Sequence, residues 1–291
     1  MTSSHFITRR KLLHTTASAG LAWSLLGITR LAATDTPLGA KSLRPSPLKL
    51  GLASYSLRHQ SLDMVIEAAQ QLELNSISLH RVHAPWDGST DECRTASGKL
   101  RAAKVALTGT GVMALSNDEA KVRTIFDNAR AAGLPTLACK PDANAFPLLD
   151  RLVREYDIRL AIHNHGPEDE LYPTPFEAWK AAQPYDSRIG LCIDVGHAFR
   201  GGADPADAIR KCRDRVYDIH MKDVILIPGS QRDMAVEVGR GQMDIRKILE
   251  ALIGIRYAHV VSFEYEKRTG NPNIGLAESV GYVRGLLSTL S

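Results

Sequence analysis

At 291 residues, 44% hydrophobic and 23% charged, the chain has the make-up of an ordinary globular protein of one large or two small domains. Its formal net charge is +4, and Arg9, Arg10 and Lys11 crowd three of the cations into the first eleven residues. The remainder is nearly balanced, which argues against a nucleic-acid or membrane-surface binder.

The chain opens on a targeting pattern. Thr8-Arg9-Arg10-Lys11-Leu12-Leu13 is a twin-arginine motif, followed by a moderately apolar stretch from Leu12 to Ile28 that is short for a membrane span. Cleavage near Leu31-Ala32-Ala33 gives a signal peptide (1–33), a joint (34–47) containing Arg44-Pro45-Ser46-Pro47, and a domain (48–291). The expected location is periplasmic or otherwise exported, with no membrane attachment after signal removal. Four scattered cysteines, Cys93, Cys139, Cys192 and Cys212, form no disulfide framework.

Eight apolar runs then predict strands: 48–57, 75–80, 104–113, 135–141, 159–165, 189–197, 216–223 and 258–266. Helical patterns fall between them. One begins at Leu62, one runs from a cap at Asn117 to a stop at Gly133, and others cover 143–157, 174–183, 204–214, 244–253 and 276–289. Strand starts lie about thirty residues apart, the length of a βαβ unit. Eight such units predict an α/β fold, a single-domain (β/α)8 TIM barrel. A doubly wound sheet is the alternative, but no Gly-rich phosphate loop follows the first run.

In a barrel the C-terminal strand ends carry the active site. Here they are polar: His80, with His83 and Trp86 beyond it, then Lys140, His163-Asn164-His165, Asp194-Val195-Gly196-His197, His220-Met221-Lys222-Asp223 and Glu264-Tyr265-Glu266. Strands 5 to 8 thus offer His, Asp, His and Glu. An Asp and a Glu close together need a cation, and N/O donors suit one divalent metal ion, Mn²⁺, Co²⁺, Zn²⁺ or Mg²⁺.

The motifs "CIDVGH", "DIHMKD", "VSFEYE" and "VEVGRGQMD" (236–244) resemble those of the xylose-isomerase-like barrels, the sugar phosphate isomerase/epimerase-like family grouped with the apurinic endonucleases. The resemblance starts near Leu48. It implies a metal held by Glu, Asp, His and Glu from strands 5 to 8, of which Asp194, His220 and Glu264 match, and a substrate contact from His197. His163 stands where the first Glu is expected. The ketose 3-epimerases use two glutamates as paired acid and base, so the loss of one puts two-base epimerisation in doubt. The endonuclease branch needs further histidines. His80, Asp194, His197, His220 and Asp233 can be matched to it, but no His ends the third strand and Ala235 replaces another.

The expected function is a divalent-metal-dependent sugar isomerase/epimerase that moves a proton next to a carbonyl through a metal-stabilised enediolate. Glu264, with His165 or His163, moves the proton. His197 contacts the substrate, Lys140 and Lys222 orient hydroxyls, and Tyr55 and Trp86 cover the ring. A local salt bridge from Lys222 to Asp218 or Asp223 is the competing assignment for that lysine. The first alternative is a dehydratase or lyase on a keto-sugar or keto-glycoside, and the second a non-catalytic sugar-binding barrel. The expected partner is a small sugar rather than nucleic acid. A homo-oligomer is allowed, since 81–90 and the long loop 224–243 are candidate lids or subunit contacts.

Overall fold

A computed structural model describes residues 46–228, 233–267 and 269–290. The predicted signal peptide, its cleavage point and almost all of the joint lie outside the described residues. Eight barrel strands follow in order: β1 (Lys49–Ala53), β2 (Ser76–Leu79), β3 in two segments (Ala106–Thr110 and Met113–Leu115), β4 (Thr136–Pro141), β5 (Arg159–His163), β6 (Ile189–Asp194), β7 (Val216–Met221) and β8 (Val260–Phe263). All pair in parallel, and β1 joins β8 from Lys49 opposite Val260. The sheet runs from the first segment of β3 through β2, β1, β8, β7, β6, β5 and β4 to its second segment. Its two edges are therefore halves of one interrupted strand, and the curled sheet closes on itself.

The interruption has a local cause. Gly111 donates its N–H to Leu79 O at 2.9 Å, and a Cβ there would lie 2.6 Å from His80 Cδ2 and 2.8 Å from its Cα. Across the seam, Thr110 Oγ1 donates to Ala138 O (3.3 Å) and accepts from Ala138 N (3.0 Å), so a side chain bridges the gap in the ladder. Every residue of β6 is buried, as expected for parallel strands covered on both faces.

Helices α1 (Leu62–Gln71), α2 (Thr90–Ala102), α3 (Glu119–Ala132), α4 (Phe146–Tyr156), α5 (Pro175–Ala182), α6 (Val195–Arg200), α7 (Pro205–Lys211), α8 (Ile245–Gly254) and α9 (Pro272–Leu290) lie between and after the strands. In α8, Ile245, Ile248, Leu249 and Leu252 form the buried stripe, each contributing about 1.5–3 kcal/mol by burial. Gly133 ends α3 at φ +74° as expected, but Asp118, not Asn117, caps it by accepting from Lys121 N. Helix α2 has no counterpart in the predicted elements, because it buries only Cys93, Ala96, Ser97 and Leu100. The 224–243 stretch is not plain loop: Asp223–Leu226 pairs antiparallel with Asp233–Val236. All four cysteines are buried and free. No described helix is long and apolar enough to cross a membrane.

Candidate metal centre and active site

Strands β5 to β8 end side by side, and their last turns bring four side chains to one point. His163 closes β5, Asp194 closes β6 opposite His220 of β7, and Glu264 follows β8. One donor atom from each lies within 4.8 Å of the others. His163 Nε2 is 3.1 Å from His220 Nδ1 and 3.6 Å from Asp194 Oδ2, while His220 Nδ1 is 3.2 Å from Glu264 Oε2. All four residues are buried.

The intervening Asn164 clasps two strand ends. Its Nδ2 donates to Asp194 O and its Oδ1 accepts from Asp194 N, both at 3.0 Å. Strand β6 was expected to reach His197, but it stops at Asp194, because Asp194 Oδ1 accepts from His197 N at 2.7 Å and caps α6. Oδ2 is thereby left facing the cluster, buried and without a hydrogen bond that completes it. Gly196 leaves room for the stem of Lys222, whose Cγ would lie 2.9 Å from a Cβ at that position.

Lys222 pairs with neither Asp218 nor Asp223. Its buried Nζ lies 3.0 Å from both Asp194 Oδ2 and Glu264 Oε2, and 2.6 Å from Glu266 Oε2. Burial would raise the Asp194 and Glu264 carboxyls, but the ammonium outweighs it and holds both well below the usual range. Burial pushes His163 down to about 4, so its ring is neutral. Behind His220, Asp218 Oδ2 stands 3.7 Å from Nε2, while its Oδ1 accepts from Ile219 N (2.9 Å) and Ser262 Oγ (3.3 Å). Desolvation lifts the Asp218 carboxyl to about 6.

A cavity of about 610 Å³ opens above the cluster. His165 faces it, with its ring centroid 4.5 Å from that of His163 and Nδ1 3.6 Å from Asp169 Oδ2. Asp169 is fixed by Leu171 N and Tyr172 N on Oδ1 (2.9 and 3.0 Å) and by Lys140 Nζ, 2.7 Å from Oδ2. Burial, partly offset by Asp194 and Asp169, lowers His165. His197, 5.6 Å from His165 by ring centroids, lies between Arg200 (Nη1 to Nδ1, 2.9 Å) and Lys222 (Nζ to Nε2, 3.3 Å). Burial and Lys222 hold it neutral. Arg200 also meets Glu168 and, at 3.0 Å, Asp233.

The far wall is Tyr55, His80, Val112 and Ala114. Trp86 is not there: it is fully buried and donates Nε1 to Leu79 O at 2.8 Å. His83 is tied to Ser54 Oγ and Gln60 O, away from the cluster.

Two buried imidazoles and two buried carboxylates, Asp194 Oδ2 held from one side by the Lys222 ammonium, are a donor set that fits a divalent cation. The sequence profile of the xylose isomerase-like TIM barrels matches residues 143–286, which span strands β5 to β8. The chain belongs to the xylose isomerase-like TIM barrels. Within curated proteins it is 29% identical over 128 residues to inosose dehydratase of Geobacillus kaustophilus, covering 42% of this chain and 39% of that one. The chain thus matches well under half the length of that relative. Among solved structures, the IolI protein with a bound zinc atom shares the barrel with a TM-score of 0.69 at 15% identity, over 83% and 99% of the two chains. The apo 3-keto-D-glucoside 4-epimerase YcjR of E. coli does so with a TM-score of 0.66 at 13% identity, over 82% and 99%. These xylose isomerase-like barrels include isomerising and dehydrating enzymes.

Proposed function

We propose that this protein is a divalent-metal-dependent enzyme that abstracts a proton next to the carbonyl of a sugar derivative and expels a leaving group from the neighbouring carbon. His163, Asp194, His220 and Glu264 would hold the cation, which supplies Lewis acidity toward the carbonyl oxygen. The observation that carries the reading is His165, a cavity-facing imidazole beside the cluster and backed by Asp169. Nδ1 meets His163 Nδ1 at 3.4 Å and feels the Asp169 carboxylate at 3.6 Å, which leaves Nε2 to take the proton. The C–H electrons become the new C=C bond, the C–O bond to the leaving group breaks, and His165 returns its proton to the departing oxygen. Lys140 holds Asp169 in place.

The sequence puts isomerisation first and elimination second; we place elimination first, with support from the positions of the side chains. A two-base epimerisation needs bases on opposite faces of one carbon. The place of the second glutamate is filled by His163, buried and engaged with His220, while His165 and His197 are neighbours. Isomerisation or epimerisation is the second reading, supported by the retained Glu264 and by the epimerase that shares the barrel.

Incubating a keto-sugar and a matching keto-glycoside with metal-loaded protein in D₂O separates them. Loss of water or aglycone supports elimination, and solvent deuterium in a product of unchanged formula supports isomerisation. Turnover that persists after chelation would overturn both. His163→Ala is expected to lose metal, whereas His165→Ala keeps metal and loses turnover.

A further inference from the structure

Val112 and Ala114 border two hollows at once. On one side is the 610 Å³ cavity above the His/Asp/Glu cluster, and on the other a second hollow of about 330 Å³. The break in β3 lies at this shared wall. Beyond Gly111 the strand resumes with two small residues, half-buried Val112 and exposed Ala114, at the mouth of the barrel.

The floor of the second hollow is apolar, formed with Met113, Val122 and Ile125. Its rim carries charge, but that charge is paired. Arg81 meets Asp87 at 3.1 Å, and Lys121 meets Asp118 at 3.2 Å. An apolar floor with internally paired charges favours an uncharged ring over a phosphate or carboxylate. Together the two adjoining spaces are of the size that holds a drug-sized ligand, larger than one six-membered ring requires.

We infer that Val112, Ala114 and Ser116 form a second subsite for the aglycone of a glycoside, an uncharged ring with an apolar face, while the sugar unit occupies the cavity over the cluster. The inference rests on the proposed function for the sugar's place, and it gives the elimination its leaving group. In this placement the glycoside straddles Val112 and Ala114, the aglycone oxygen departs above them, and the freed ring leaves from the second hollow without passing the cluster.

Binding tests this apart from turnover, so a failure here differs from a failure of the proposed chemistry. Glucose and 4-nitrophenyl β-D-glucoside are titrated into the full metal-loaded protein by calorimetry. The aryl glucoside is expected to bind at least about tenfold tighter. Ser116→Trp, which fills the second hollow and does not line the cavity over the cluster, should remove that advantage and leave glucose binding within about twofold. Thr124→Trp, from α3 on the same hollow, should reproduce the split and guards against a folding defect at Ser116. Equal affinity of the two probes for the unsubstituted protein, or equal weakening of both by the tryptophans, would overturn the assignment.

Discussion

Lys222 Nζ is equidistant, at 3.0 Å, from Asp194 Oδ2 and Glu264 Oε2. An ammonium thus sits against both carboxylates of the candidate metal centre, with Glu266 2.6 Å away as a third partner. The charge that keeps two buried carboxylates compatible also competes with a metal for them. Lys222→Met is expected to tighten metal binding, read by competition with a chelator, by about tenfold. The metal-free variant should melt earlier, because removing one partner of a buried ion cluster costs roughly 3–5 kcal/mol. An unchanged melting temperature together with weaker metal binding would refute the competition.

Asp169 touches no substrate in the proposed reaction; it positions His165. Replacing His165 by Ala should cost about 10²–10⁴-fold in turnover, the range for a general base. Asp169→Asn should lower kcat by a smaller factor, with little change in KM or bound metal. A variant that lost metal instead would make Asp169 part of the metal's support.

His220 turns Nδ1 to the centre, and behind the cluster the Asp218 carboxylate stands 3.7 Å from its Nε2, where it attracts an N–H on that nitrogen. Such outer carboxylates set the tautomer of a ligating histidine, and their loss typically weakens metal affinity 10–100-fold. Asp218→Asn should show a fall in that range, with Ser262→Ala, which loses one contact to Asp218, falling less. Metal affinity unaltered in Asp218→Asn would show that His220 needs no such partner.

One pH effect is set outside the centre. Burial would raise Glu237, but hydrogen bonds from Lys267 (2.9 and 3.0 Å) and the Tyr265 hydroxyl (2.8 Å) outweigh it and bring the carboxyl to about 2. The unfolded chain titrates near 4.5, so this stabilisation is full above about pH 4.5 and is lost as pH falls toward 2. After solvent screening it is about 1–2 kcal/mol. Glu237→Gln should therefore melt earlier than the unsubstituted protein at neutral pH, and the gap should close in acid. A gap that stayed constant with pH would assign the loss to packing.

The barrel and its four convergent ligand candidates were legible because parallel strands present their ends on one face. His163, Asp194, His220 and Glu264 each stand at or within one residue of such an end. What escaped was whatever depends on turns. Asp169 reaches back to His165 from a loop, held by the amides of Leu171 and Tyr172, and nothing in strand periodicity marks it. Arg200 was hidden because "IGLCIDVGH" reads as one apolar run. The signal for α6 was an Asp followed at the third position by His, the spacing of a side-chain cap. Trp86 looked like a pocket aromatic, yet the loop folds it under β2, where its N–H finds a strand-end carbonyl. The role of Lys222 needed the opposite wall, since its partners are 28 and 42 residues away in the chain.

The split third strand divides the rim into two kinds of ground. Strands β5 to β8 hold the polar cluster through unbroken neighbours, so a change there disturbs several donors together. The seam carries Val112 between the two paired segments and Ala114 opposite Lys140 at the sheet's edge, and it can exchange these side chains without moving any of the four. Descendants of this chain could thus change the wall at Val112 and Ala114 while inheriting His163, Asp194, His220 and Glu264 unmoved on the other side of the mouth.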